Sequence, residues 1–82
     1  MELSIVIPCY NEEKRIVPTL NTLFAFLKHH SNIDEYEVII VDDGSKDNTL
    51  KVIPSHPHLT IIPHKVNQGK GGAVRTGVLN AK

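Results

Sequence analysis

The sequence predicts an α/β fold in which three parallel strands alternate with helices, one half of a doubly wound sheet. Three observations predict it. Residues 3–8 and 36–41 are short apolar, β-branched runs; a helical apolar stripe lies between them; and polar, turn-forming residues follow each run at once. Near-continuous apolar runs suit parallel strands covered on both faces, because a half-exposed antiparallel strand alternates more cleanly.

The elements follow in order. Residues 3–8, Leu-Ser-Ile-Val-Ile-Pro, form the first strand. Ile16, Leu20, Leu23, Phe24 and Leu27 then recur at intervals of three and four, which places one stripe along a helix ending near His29 and His30. Pro18 is accommodated if residues 11–15 form a turn and Pro18 sits in the first turn of that helix, where its missing N–H costs nothing. Residues 36–41 are the second strand, closed by Asp42 and Asp43. Asp47-Asn48-Thr49 caps a short helix through Ile53, which Pro54 and Pro57 stop. Residues 59–62 are a weaker third strand. A third helix begins at Gly71, with Val74, Val78 and Leu79 as its apolar stripe, and runs to Lys82 with neither a C-cap glycine nor a proline, so the sequence reads as interrupted inside an element. A three-stranded parallel sheet would also leave an apolar edge strand open to solvent, which natural domains cover. With right-handed crossovers the order is that of half a doubly wound sheet.

Composition narrows the function. At 82 residues the chain is at most one small domain, burying roughly 60–65% of its unfolded surface. Nine Lys and Arg balance nine Asp and Glu, so no long-range field draws the protein to nucleic acid or an anionic membrane, and an anionic ligand must be held locally. The single cysteine, Cys9, excludes an internal disulfide and a Cys-based zinc site and is read as a packing residue. No apolar run approaches the roughly 20 residues that span a bilayer, and the first residues lack the regions of a signal peptide. A cytosol-facing chain is expected, with any membrane anchor left to a C-terminal continuation.

In an open α/β sheet ligands bind beyond the carboxyl ends of the strands. There the sequence has Pro8-Cys9-Tyr10-Asn11-Glu12-Glu13 and Asp42-Asp43-Gly44-Ser45. Asp42 and Asp43 should point in opposite directions, one toward the body of the domain and one toward the crevice. A carboxylate there can accept from the N–H groups of a base or from ribose hydroxyls; the same Asp-Gly-Ser is equally an ordinary turn, with Gly44 available for positive φ. Tyr10 can stack on a base and Glu12 can hydrogen-bond base or ribose, while Asn11-Glu12-Glu13 is also a normal helix start. The run from Asn67 to Arg75 is glycine-rich and enters a helix. Its main-chain N–H groups, Lys70 and Arg75 suit a phosphate, or form a flexible connection with solvated cations. It has neither Walker A spacing nor the position of a dinucleotide fingerprint. His29, His30, His56, His58 and His64 lack convergent ligand spacing and are read as solvated side chains.

Three segments carry a resemblance: Ser4-Ile5-Val6-Ile7-Pro8-Cys9-Tyr10-Asn11-Glu12-Glu13, the stretch from Val38 to Thr49 containing Asp42-Asp43-Gly44-Ser45, and Asn67-Gln68-Gly69-Lys70-Gly71-Gly72-Ala73-Val74-Arg75-Thr76-Gly77. Together, and in this order, they resemble family 2 glycosyltransferases of the GT-A fold. The third looks most like the dolichyl-phosphate β-glucosyltransferases and related polyprenyl-phosphate glycosyltransferases. The resemblance implies that residues 1–82 are the nucleotide-binding half of a GT-A, Rossmann-like nucleotide-diphospho-sugar transferase domain, broken off in the third helix. It implies nucleotide contacts at Pro8, Tyr10, Glu12, Val41 and Asp43, with Asn11, Asp42, Gln68, Lys70 and Arg75 close to the donor and Asp42 there chiefly supporting the turn. It further implies a UDP-sugar donor, a polyprenyl-phosphate lipid acceptor at a membrane surface, and a divalent cation, Mg or Mn, whose Asp-x-Asp ligands lie beyond residue 82. No catalytic or metal-binding residue is then expected within the chain, which alone should not turn over. Two rival readings are a receiver-like binding module, whose acidic pair would follow the first strand instead of the second, and a truncated gene product without function.

Overall fold

The computed structural model describes residues 2–29 and 35–81. β1 (Glu2–Cys9), α1 (Ile16–His29), β2 (Glu35–Asp42), α2 (Thr49–Val52), β3 (Leu59–Pro63) and α3 (Gly69–Asn80) follow one another. All pairing is parallel, in the order β1-β2-β3, with Ile7 opposite Ile40 and Ile40 opposite Ile61. The predicted alternation of strands and helices is therefore the observed one. His30, at the expected end of the first helix, lies outside the described residues.

β2 is the central strand, and Val38, Ile39, Ile40 and Val41 are all buried. Its uninterrupted apolar run is the consequence of having a covered layer on each side. Val38 and Ile40 join Cys9, Ile16, Leu20, Leu27 and Ile53 in one cluster, against which Ile5 and Ile7 pack. Ile39 and Val41 join Ala73 in a second, with Ile62 against it. Because successive strand residues face opposite layers, α1 and the α2 segment cover one face and α3 covers the other.

Pro18 is the third residue of α1, and the turn before it is closed by Arg15 and Ile16 N–H groups donating to Glu12 O at 2.9 and 2.8 Å. The missing proline N–H thus falls in the first turn, where no intrahelical acceptor waits for it.

α3 differs from the expectation in three ways. It starts at Gly69, two residues before Gly71, because loop side chains take up its first donors: Asp43 Oδ1 accepts from Gln68 N–H at 2.7 Å and Asn67 Oδ1 from Gly69 N–H at 3.0 Å. It ends at Asn80 with Ala81 extended, the last turn tightened by Ala81 N–H donating to Val78 O at 3.3 Å. The residues turned inward are Ala73 and Gly77, whereas Val74, Val78 and Leu79 are 38%, 61% and 72% exposed. Small residues let the helix lie close on the sheet. A Cβ added at Gly77 would stand 2.2 Å from Val6 Cγ1.

Candidate functional site

The loops after β1 and β2 are laced together by side chains that accept from main-chain donors of the opposite loop. Asn11 N–H donates to Ser45 Oγ at 2.8 Å, Glu12 N–H to Thr49 Oγ1 at 2.9 Å, and Glu13 N–H to Asp47 Oδ2 at 3.4 Å. In return Lys46 N–H donates to Asn11 Oδ1 at 2.8 Å. Asn11 has φ +53°, a left-handed conformation that Asn tolerates better than most residues. Its amide therefore serves as a cross-brace and not as the helix cap its sequence position suggests. Thr49, fully buried, also donates its hydroxyl to Asp47 Oδ1. Burial works to raise the Asp47 carboxyl, but the Thr49 hydroxyl and amide together with the Glu13 amide outweigh it and leave it below the usual carboxylate range. Asn48 is the N-cap residue of α2 but makes no side-chain cap bond; Asp47, one residue earlier, accepts from Thr49 N–H at 2.9 Å through Oδ1.

Asp42 and Asp43 are both buried, at 1% and 3% exposure, and divide as the strand alternation predicts. Asp42 accepts from Ser45 N–H at 3.1 Å and from the Ser45 hydroxyl, and so closes the turn through Gly44, whose φ is +76°. A side chain at Gly44 would also meet Asn67 N at 3.0 Å. The Cys9 thiol lies 3.7 Å from Asp42 Oδ1; burial first, and then the Asp42 charge, push it up to about 12, so it is a packed, unreactive group. Asp43 turns to the α3 side. Its carboxyl is held below the usual range, first by the Gln68 N–H and then by the His64 ring, which lies 2.9 Å away.

Between these loops and the start of α3 lies a cleft of about 380 Å³, lined by Pro8, Cys9, Tyr10, Glu12, Asp43, Asn67, Gly69, Lys70 and Ala73. It stands at the carboxyl ends of β1 and β2, where an open α/β sheet binds its ligand. Of the residues singled out from sequence, Pro8, Tyr10, Glu12, Asp43 and Lys70 meet there. Val41 does not line it, because its side chain is fully buried against Ala73. Asp42, Asn11 and Gln68 brace its walls through the hydrogen bonds above, and Arg75 is exposed along α3. Tyr10 is 42% exposed, two carboxylates line the cleft, and Lys70 supplies a cation beside the Gly69 main chain. Glu12 already pairs with Arg15 at 2.6 Å, an exposed i,i+3 contact of little energetic worth that a ligand can replace.

Two contributors to the site, Asn67 and His64, lie outside the expectation, and two further histidines, His56 and His58, are packed on rings away from the cleft. Asn67 lines the cleft, donates from Nδ2 to Asp43 O at 3.0 Å and accepts from Gly69 N–H. His64, read from sequence as solvated, has a side chain only 7% exposed and lies between Asp43 and Thr76. His56 is half-buried and stacks on Phe24 at 3.9 Å between ring centroids, while the exposed His58 stacks on Tyr36 at 4.4 Å. His64 directly follows β3 as Asp43 follows β2, and that position was the available signal.

The cleft does not fit a divalent cation with its own residues. Among the described residues no group of three or more His, Cys, Asp or Glu converges; Asp43 Oδ1 is engaged twice and Glu12 is paired with Arg15.

Residues 4–82 match the model of the glycosyl transferase family 2. The chain is 43% identical over 89 residues to a dolichyl-phosphate beta-glucosyltransferase of Saccharomyces cerevisiae, 41% over 86 residues to that of Dictyostelium discoideum, and 39% over 90 residues to that of Homo sapiens. These alignments take in 98%, 94% and 99% of the chain but only 26%, 26% and 28% of the relatives, so the chain spans about a quarter of their length. Two solved structures superpose with a TM-score of 0.83. One is S. aureus TarS (residues 1–349), 31% identical, covering 100% of this chain and 25% of that one. The other is the mannosyltransferase PcManGT from Pyrobaculum calidifontis in complex with GDP-Man and Mn2+, 27% identical, covering 98% and 24%.

Proposed function

The chain belongs to glycosyl transferase family 2 and has the fold of the N-terminal part of a GT-A glycosyltransferase, and on that premise we propose that it supplies the nucleotide-sugar-binding half of an inverting hexosyltransferase domain. The reaction moves a glucosyl group from UDP-glucose to a polyprenyl phosphate such as dolichyl phosphate. A phosphate oxygen of the lipid bonds to the anomeric carbon, the bond from that carbon to the diphosphate breaks with inversion, and UDP leaves. The nucleophile is already an anion, so no protein base has to take a proton from it.

The observation that carries the binding role is the cleft, which gathers Pro8, Tyr10, Glu12, Asp43 and Lys70 from three separate segments of sequence. Pro8 and Tyr10 frame the base. Asp43, ionised and partly satisfied by fixed donors, accepts from a base N–H, where a charged acceptor forms the stronger bond. Glu12 holds the ribose or base. Val41, with its side chain enclosed, offers only its main chain and its bulk behind the wall. Asn11 and Asp42 keep the two loops in register, and Gln68, Lys70 and Arg75 lie on the diphosphate side. A divalent cation, as Mn2+ accompanies GDP-Man in the Pyrobaculum enzyme, would offset the charge of the donor diphosphate, with its ligands supplied from outside residues 1–82.

Donor and acceptor are supported by the kinship to dolichyl-phosphate beta-glucosyltransferases of three organisms. With a lipid acceptor the enzyme works at a membrane surface, and we assign it the cytosolic side; among the described residues no helix is long and apolar enough to cross a membrane. Transfer of labelled sugar to dolichyl phosphate by the full-length protein tests the reading, with UDP-glucose and GDP-mannose as alternative donors. Label should pass from UDP-glucose. Transfer from GDP-mannose alone, or none to the lipid phosphate from either donor, would overturn it.

A further inference from the structure

We infer that His64 is a positioning residue for nucleotide binding, fixing the Asp43 carboxylate in the orientation that meets the ligand without touching the ligand itself. The inference rests on the function proposed above.

His64 follows β3 directly, and its main-chain N–H donates to Asp42 O at 2.7 Å, so the strand ladder itself sets where the ring begins. The ring is buried and lies outside the lining of the cleft. Nδ1 is 2.9 Å from Asp43 Oδ1, and Nε2 is 2.8 Å from Thr76 Oγ1. An ionised carboxylate only accepts, so Nδ1 carries a proton; in the neutral ring Nε2 then accepts from the Thr76 hydroxyl. Each polar atom of the ring has one partner, and only one ring orientation satisfies both.

The Gln68 N–H, at 2.7 Å, ends on the same Oδ1. Two donors approaching one oxygen, from the end of β3 and from the start of α3, hold the carboxylate against rotation at the wall of the cleft, and the Gly69 N–H adds a further main-chain donor from the helix start. Without the ring, the carboxylate keeps only the main-chain donors of Gln68 and Gly69, both on the α3 side, and loses its tie to β3. The ring also joins β2, β3 and α3 through Asp43, His64 and Thr76, so the carboxylate is referred to the same helix that carries Lys70. A binding group held by a second layer of packed, hydrogen-bonded residues keeps its geometry without reorganising when the ligand arrives.

Three variants separate positioning from general structural support. His64→Asn keeps a donor near the place of Nδ1 and gives up Thr76. His64→Gln keeps a group near the place of Nε2 and gives up Asp43. His64→Leu loses both. Calorimetric titration of each full-length variant with UDP, paired with its melting temperature, reads the difference. We expect wild-type affinity to within about twofold for His64→Asn and a loss of about tenfold for His64→Gln and His64→Leu, the order expected when one bond to a charged group is removed. Similar melting temperatures for the Asn and Gln variants alongside that split in affinity establish the positioning role. If Asn and Gln weaken UDP equally and in step with stability, or if all three bind like wild type, the inference is overturned. Should the leucine variant not fold, the Asn and Gln pair decides alone. Failure of the wild type to bind UDP overturns the proposed function and this inference with it; wild-type binding with unchanged variants overturns the inference only.

Discussion

Gly77→Ala should destabilise the protein, against the usual direction of that change within a helix. Alanine in place of glycine inside a helix ordinarily gains up to about 1 kcal/mol. At position 77 the new Cβ would stand 2.2 Å from Val6 Cγ1, 3.1 Å from Cγ2 and 3.2 Å from Val6 Cβ. Ordinary carbon contact is about 3.5–4.0 Å, so helix or strand must give by more than 1 Å. Val6 cannot simply turn aside, because it is β-branched, stiff about χ1, and sits in β1 opposite Ile39. Overpacking of this kind costs about 1–3 kcal/mol. Set against the helical gain, the net loss is about 1–2 kcal/mol, a fall in melting temperature of roughly 5–15 °C for a chain of this size. Gly71→Ala is the control on the same helix: nothing lies within 4 Å of its added Cβ, and it should stabilise by about 0.5–1 kcal/mol. In a Val6→Ala background the sign at position 77 should reverse, a coupling of about 2 kcal/mol. Thermal unfolding followed by circular dichroism measures all five proteins: wild type, the three single variants and the Val6→Ala, Gly77→Ala double variant. If Gly77→Ala stabilises as much as Gly71→Ala, the close seating of α3 on β1 is wrong.

Two further expectations concern ionisable groups. Asp43 and Asp47 both titrate below the usual carboxylate range in the folded chain, so each binds fewer protons folded than unfolded. Their stabilising contribution is complete above about pH 4, the unfolded value, and is lost as pH falls through the lower folded values. Urea midpoints should hold on the neutral side of about pH 4 and drop below it, with Asp47→Asn flattening the drop; an acid limb unaltered by that substitution would contradict the assignment. Cys9, 6% exposed and with its thiol pushed up to about 12, should react with iodoacetamide at about pH 8 roughly a thousandfold more slowly in the folded protein than in urea, where the thiol titrates near 8.5. Rapid labelling of the folded protein would show the thiol to be neither buried nor raised.

What could be read in sequence follows from which forces dominate each element. β2 and α1 announce themselves because burial decides them: an uninterrupted apolar run for a central strand, and an apolar stripe for a helix lying on one face. The opposed directions of Asp42 and Asp43 follow from strand alternation alone. α3 misleads for the same reason that α1 does not. Its hydrophobic residues suggest an inward stripe of Val74, Val78 and Leu79, but close approach to the sheet selects for small size, and Ala73 and Gly77 take the inner positions. His64 was missed because a histidine's role depends on partners far away in sequence, here Asp43, 21 residues before it, and Thr76, 12 after. Asn11 was legible as a polar loop residue but not as a brace, since its partners Ser45 and Lys46 belong to the next crossover.

In the function proposed above, the cleft between the β1 and β2 loops and α3 receives the uridine end of a nucleotide sugar through Asp43. Titration calorimetry of UDP into the full-length protein, wild type beside Asp43→Ala, tests it most directly. Wild type should bind, and the variant should lose affinity on the order of tenfold, with melting temperatures recorded to show that both are folded. Undetectable binding by folded wild type, or equal affinity in folded Asp43→Ala, would contradict it.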